Sequence, residues 1–270
     1  MTKNLLFFLI SLCILTACST NTTLISNVKV NAIKETGYLN SVSNINVIAN
    51  SDELPNTNAM NQMVATNSDI IYTELTHTAD IKSELIELTP YEANIVYRDI
   101  AKKIDTLANY RLKVKNMDNA TGRKILKKEM QSTFSAMTLS ENTINILKTK
   151  NKQYVSFILT LGSTRTYENA KDARRDFLLT NALGISLVAT TGFGFYKLPQ
   201  MVYSCINEIL IIDVFNNNLV FYNQTITPNG DPANPKDLRQ NIFEAFEGYW
   251  VKKSEDTKKY VKVEKVKDSK

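Results

Sequence analysis

The stretch from Met201 to Thr227 constrains the fold more than any other part of the chain. Met201 to Phe215 is a long run of strand formers, and Leu219 to Thr227 is a second. Between them Asn216-Asn217-Asn218 supplies side chains that tolerate the positive φ of a tight turn, so the runs pair as a β-hairpin. Tyr154 to Leu161 is a β-rich run upstream, and Ala170 to about Ala189 reads as helical. Downstream, Asn234-Pro235-Lys236-Asp237 starts a helix in which Leu238, Ile242, Ala245, Phe246 and Tyr249 share a face. Strand, helix, hairpin and helix together imply a sheet with helices packed on it, an α+β (mixed α/β) fold.

A helical region is expected before this sheet. Thr89-Pro90-Tyr91-Glu92 combines an N-cap threonine, proline at the first helical position and glutamate three residues after the cap. Ile95, Ile100, Ile104 and Leu107 follow at helical spacing, which predicts a helix over 90–109. A second is expected over Ala120 to Met137, with Leu126, Met130, Phe134 and Met137 on one face, and Ser140 caps a third through Lys148. Val42 to Ile48 alternates as a first strand does, and Asn50 to Asn67 reads as a loop. The expected domain runs over 41–251, with a helical part about 69–150 and a sheet part about 151–251.

The beginning of the chain has a different logic. Lys3 precedes an apolar run from Leu5 to Leu15, closed by Leu15-Thr16-Ala17-Cys18. Eleven residues cover about half of a hydrocarbon core roughly 30 Å thick, so the run is a signal and not a membrane span. Leu15-Thr16-Ala17-Cys18 resembles a bacterial lipobox. The resemblance implies a signal peptide over 1–17, cleavage before Cys18, and a thioether-linked lipid on that cysteine. It further implies an acylated amino group there, and several chains hold where one binds marginally. In enterobacterial lipoproteins an aspartate after the cysteine signals inner-membrane retention. Ser19 therefore points to the outer membrane, facing the periplasm, if the envelope is Gram-negative. Residues 18–40, rich in Ser, Thr and Asn, are expected to form a flexible tether, although Thr23 to Val30 has the makings of a strand.

Charge and composition exclude several classes of function. The net charge is +5, but 252–270 holds eight lysines against four acids, and Lys3 leaves with the signal. The domain is thus charge-balanced and the surplus lies in a lysine-rich tail, which argues against nucleic-acid binding. Of three cysteines, Cys13 is removed and Cys18 is lipidated, so Cys205 remains as a lone buried thiol without a disulfide partner. With His77 the only histidine, a multi-histidine metal site is excluded, and no nucleophile motif stands near it. Neither a GxxxxGK[ST] nor a GxGxxG motif is present, so no cofactor is expected. Two-carboxylate chemistry stays open through acids such as Glu208 and Asp213.

One segment stands out. Phe177 to Tyr196 contains no charge, bounded by Arg174-Arg175-Asp176 and Lys197. Asn181, Ser186, three threonines and three glycines dilute its apolarity. A core helix running into a glycine turn is one reading, and a surface that enters the membrane is another.

The hairpin sequence itself, Ile209-Leu210-Ile211-Ile212-Asp213-Val214-Phe215 and then Leu219-Val220-Phe221-Tyr222-Asn223, resembles small α/β envelope lipoprotein domains. These are similar to the TolB amino-terminal domain and to lipoprotein activators of peptidoglycan synthases. Asparagines replace the usual turn glycine, and the resemblance transfers no catalytic residue. The leading expectation is a non-enzymatic lipoprotein whose domain binds an envelope protein or cell-wall component. The alternatives are an envelope hydrolase using carboxylates and an oligomerising lipoprotein that inserts 177–196 in the membrane.

Overall fold

The computed structural model describes residues 21–26, 32–173, 175, 203–228 and 230–251. Seven strands form one sheet: β1 (Asn21–Ser26), β2 (Glu35–Tyr38), β3 (Val42–Ile48), β4 (Lys82–Leu85), β5 (Tyr154–Arg165), β6 (Ser204–Asp213) and β7 (Asn218–Pro228). Their spatial order is β1-β7-β6-β5-β2-β4, and β3 also pairs with β5. β2 and β3 lie end to end along one edge of β5, both parallel to it. β6 and β7 form the expected antiparallel hairpin, and β1 pairs antiparallel with its outer edge.

Because β6 is covered on both faces, its two side-chain sets enter different cores. Leu210 and Ile212 pack with Val96, Ile100, Ile104 and Leu107 of α2 (Pro90–Lys115). Met130 and Phe134 of α3 (Ala120–Ala136) and Ile144 and Leu147 of α4 (Glu141–Lys148) complete that layer. Ile209 and Ile211 point the other way, onto α1 (Thr57–Thr78) and α5 (Pro235–Ala245). The fold is therefore mixed α/β, a sheet between two helical layers with the C-terminal hairpin at its centre.

Local signals explain the element ends. The capping box at α2 is complete: Glu92 N–H donates to Thr89 Oγ1 at 3.3 Å, and Thr89 N–H donates to Glu92 Oε2 at 2.8 Å. Ser140 caps α4 and Asn234 caps α5. In the hairpin turn Asn217 takes φ +48°. Its side-chain amide donates to Leu139 O at 3.1 Å and accepts from Leu139 N–H at 2.9 Å, tying the turn to the α3–α4 connection.

Three expectations need correction. Residues 18–40 do not form a free tether, since Asn21–Ser26 and Glu35–Tyr38 are strands of the sheet. A strand docks through its main chain, so a polar composition conceals it. The span 50–67 is not all loop, because α1 begins at Thr57, with Asn56 accepting from Ala59 N–H at 3.0 Å. Its buried stripe of Val64, Ser68, Ile71, Tyr72, Leu75 and Thr76 includes polar members, which weaken the apolar period. A helical region, Thr57 to Lys148, precedes β5 and the β6–β7 hairpin as expected, although β1 to β4 also bring early strands into the sheet. Finally α2 extends to Lys115 and β5 to Arg165, beyond the expected ends. Residues 1–17, Cys18, the 177–196 segment and the 252–270 tail lie outside the described residues.

Candidate functional site

The most unusual chemistry among the described residues is a buried carboxyl between β6, β7 and α2. Glu208 is 1% exposed and pairs in register with Gln224, while Leu210 pairs with Tyr222. On a pleated surface those side chains share one face, so Tyr222 and Gln224 both reach Glu208. Tyr222 Oη donates to Glu208 Oε2 at 2.7 Å, and Gln224 Nε2 donates to Oε1. Half-buried Arg111 of α2 adds a positive charge nearby. Burial pushes the Glu208 carboxyl up to about 7, with the Tyr222 and Gln224 hydrogen bonds and Arg111 opposing that rise. Burial also raises the Tyr222 phenol, with the Glu208 charge adding to it.

This arrangement stores a proton near neutrality without exposing it to solvent. In the unfolded chain Glu208 returns to its ordinary value of 4.5. Its raised folded value means that the neutral carboxyl's contribution is fully present below 4.5 and lost as pH rises through about 7. The difference amounts to roughly 3 kcal/mol. Urea unfolding of Glu208→Gln, compared with wild type at pH 5 and pH 8, should show this loss in wild type only. Equal pH dependence in both proteins would contradict the assignment.

Asp213, the other acid considered for two-carboxylate chemistry, serves the hairpin turn. Its Oδ1 accepts from Phe215 and Asn216 N–H, both at 3.1 Å, and its Oδ2 from Asn216 Nδ2 at 2.8 Å and Gln153 Nε2 at 3.4 Å. Five residues along β6 separate it from Glu208, about 16 Å of strand. A glycosidase pair stands roughly 5–9.5 Å apart. The structure does not bring these two acids together.

The remaining candidates have plain positions. His77 is exposed in the last turn of α1. Cys205 is fully buried, and burial pushes its thiol up to about 12, with the Asp237 and Asp231 charges adding to it. No cluster of three or more His, Cys, Asp or Glu side chains suited to a metal occurs among the described residues. An open depression beside Lys103, Ser132 and Met137 holds no carboxylate in its lining.

On the opposite face of the sheet runs a neutral polar belt that the sequence reading missed. Thr160 Oγ1 donates to Asn207 Oδ1 at 2.7 Å, and Asn207 Nδ2 donates to Asn241 Oδ1 at 3.0 Å. Asn241 of α5 donates onward to Cys205 O at 3.0 Å and Thr227 Oγ1 at 2.8 Å. Ser68 of α1 meets Thr160 at 3.2 Å. Both helices are thus registered on the sheet by satisfied hydrogen bonds, which makes the belt structural. Its visible signal was Asn207, Asn223 and Thr225, polar residues in otherwise apolar strands.

No family model matches the chain, and no curated protein matches it. Among solved structures it is similar to the PelC dodecamer from Paraburkholderia phytofirmans, at 7% identity and a TM-score of 0.36, over 87% of this chain and 100% of that one. A single-substitution variant of the same dodecamer matches over the same shares at 7% identity and a TM-score of 0.31. Scores this low carry no structural argument.

Proposed function

We propose that the chain is an envelope lipoprotein, held on the membrane through lipid on Cys18, whose domain binds another envelope protein or a cell-wall component without catalysis. The observation that carries this reading is Leu15-Thr16-Ala17-Cys18 at the close of the apolar run Leu5 to Leu15. The start of β1 at Asn21 is compatible with it, because a cut before Cys18 leaves every described strand intact. Ser19 favours the outer membrane, with the domain in the periplasm, in a Gram-negative cell. Nucleic acid is not a partner in this reading, and no cofactor or metal takes part.

Binding is tested by photo-crosslinking in native envelopes from Leu112 and Ile125, 56% and 52% exposed on α2 and α3. One discrete adduct with an envelope protein or wall polymer is expected. A hydrolase would instead release soluble fragments from envelope material, with loss of turnover on substituting an acid. That result would overturn the binding reading.

A second reading has 177–196 enter the bilayer, and it rests on the twenty uncharged residues of that segment. Residues 167–173 follow the C-terminal end of β5, and Tyr203 immediately precedes β6. Ser163 pairs with Ser204, so the described residues on either side of the segment lie at one end of the sheet.

A further inference from the structure

The register of the strands fixes which end of the sheet the anchor reaches. Only Ser19 and Thr20 separate Cys18 from the first residue of β1. Even fully extended, that interval spans at most about 10 Å. Asn21 lies opposite Ile226, Pro228 opposite Ser204, Ser204 opposite Ser163, and Arg165 opposite Ile48. These residues mark one end of the sheet. The other end carries Tyr154 opposite Asp213 and the β6–β7 turn.

Two large side chains stand in solvent at the anchor end. Leu54, 100% exposed, lies in the loop from β3 to α1, and Tyr167, 80% exposed, follows the end of β5. Their segments are joined: Thr166 N–H donates to Ile48 O at 3.0 Å, Thr166 Oγ1 to Glu53 Oε2 at 2.5 Å, and Asn169 Nδ2 to Asn50 Oδ1 at 2.8 Å. Leu54 and Tyr167 therefore belong to one connected surface. Around Tyr167, Lys171 pairs with Glu168 and Arg175 with Asp172, each at 3.6 Å, while Asp52 and Glu53 precede Leu54 in its loop, Glu53 accepting from Thr166 and Asn50 N–H. An exposed leucine and tyrosine suit a lipid–water boundary, where an aromatic ring with a polar tip is at home and carboxylates can stay on the water side.

We infer that this end of the sheet rests on the bilayer, with Leu54 and Tyr167 entering the headgroup region. The domain then stands upright and presents the β6–β7 turn and the start of α2 away from the membrane. The inference rests on the lipid-anchor reading of Cys18. It replaces a tethered, freely tumbling domain by one of fixed orientation, because β1 leaves almost no slack.

The test uses the full lipidated protein in phosphatidylcholine vesicles. A thiol-reactive fluorophore is placed at Leu54→Cys or Tyr167→Cys, and at Tyr91→Cys or Phe215→Cys for the far end. Tyr91 and Phe215 are 76% and 56% exposed, whereas Cys205 is fully buried and escapes the label. Brominated lipid should quench the first pair and leave the second pair unchanged. Intact mass measured on the same samples reports the lipid on Cys18. Quenching at neither end, or equally at both, with lipid present would overturn the orientation and leave the anchor standing. Absence of lipid from Cys18 would overturn both.

Discussion

Replacing Phe246 with alanine is expected to lower the free energy of unfolding by about 3–5 kcal/mol, because the ring is fully buried and its loss leaves a cavity. Phe246 closes α5 and lies at the centre of an aromatic cluster. It stacks on Phe221 of β7 with centroids 5.3 Å apart and on Trp250 at 4.8 Å. Tyr72 of α1 meets it at 6.1 Å. The deletion therefore removes contacts to the sheet, to α1 and to the following turn together. Neighbours locked in stacked geometry cannot collapse easily into the space, which places the expected cost near that of other large aromatic deletions. Equilibrium urea unfolding measures it, and a midpoint equal to that of wild type would contradict the packing.

The turn after α5 makes this cluster possible. Gly248 takes φ +79°, a conformation that L side chains rarely adopt, and its N–H donates to Val251 O at 2.7 Å. The chain thereby folds back and lays Tyr249 and Trp250 beside Phe246.

How far the sequence reveals this fold depends on which interaction holds each element. α2, α4 and α5 announce themselves because their ends are specified by side chains that bond to local backbone, as at Thr89, Ser140 and Asn234. The β6–β7 hairpin is equally legible, since its apolar runs and asparagine turn are contiguous. Leu238, Ile242 and Ala245 of α5 are buried as their spacing predicts, whereas Phe246 caps the helix and Tyr249 is buried from the turn beyond it. β2 is hidden because it joins the sheet through main-chain pairing and residues such as Glu35 carry no apolar signature, while β1 shows only in part, from Thr23 to Ser26. α1 is obscured for a related reason. Ser68 and Thr76 are buried polar residues that meet partners on the sheet, Thr160 of β5 and Ser83 of β4, so the apolar period alone reads too short.

The buried carboxyl shows the same limit at the level of chemistry. Glu208 stands out in an apolar strand, but its environment depends on Gln224 being its cross-strand partner and on Tyr222 sharing that face. Neither relation follows from spacing along one strand. The register also decides that Asp213, five residues further on, caps a turn instead of facing Glu208.

Anchoring is expected to depend wholly on the Cys18 thiol, because a serine hydroxyl cannot form the thioether on which lipoprotein processing proceeds. In Cys18→Ser the signal over 1–17 should stay attached, and lipid incorporation should fall to background. One buried methylene contributes about 0.8 kcal/mol, so losing two or more acyl chains removes the hold that lipid on residue 18 provides. The domain should fold in either protein, since its first strand begins beyond the substituted residue, at Asn21. Radiolabelled palmitate fed to cells expressing wild type or Cys18→Ser tests the anchor directly. Label is expected in wild type and none in Cys18→Ser. Label retained by Cys18→Ser, or absent from wild type, would contradict it.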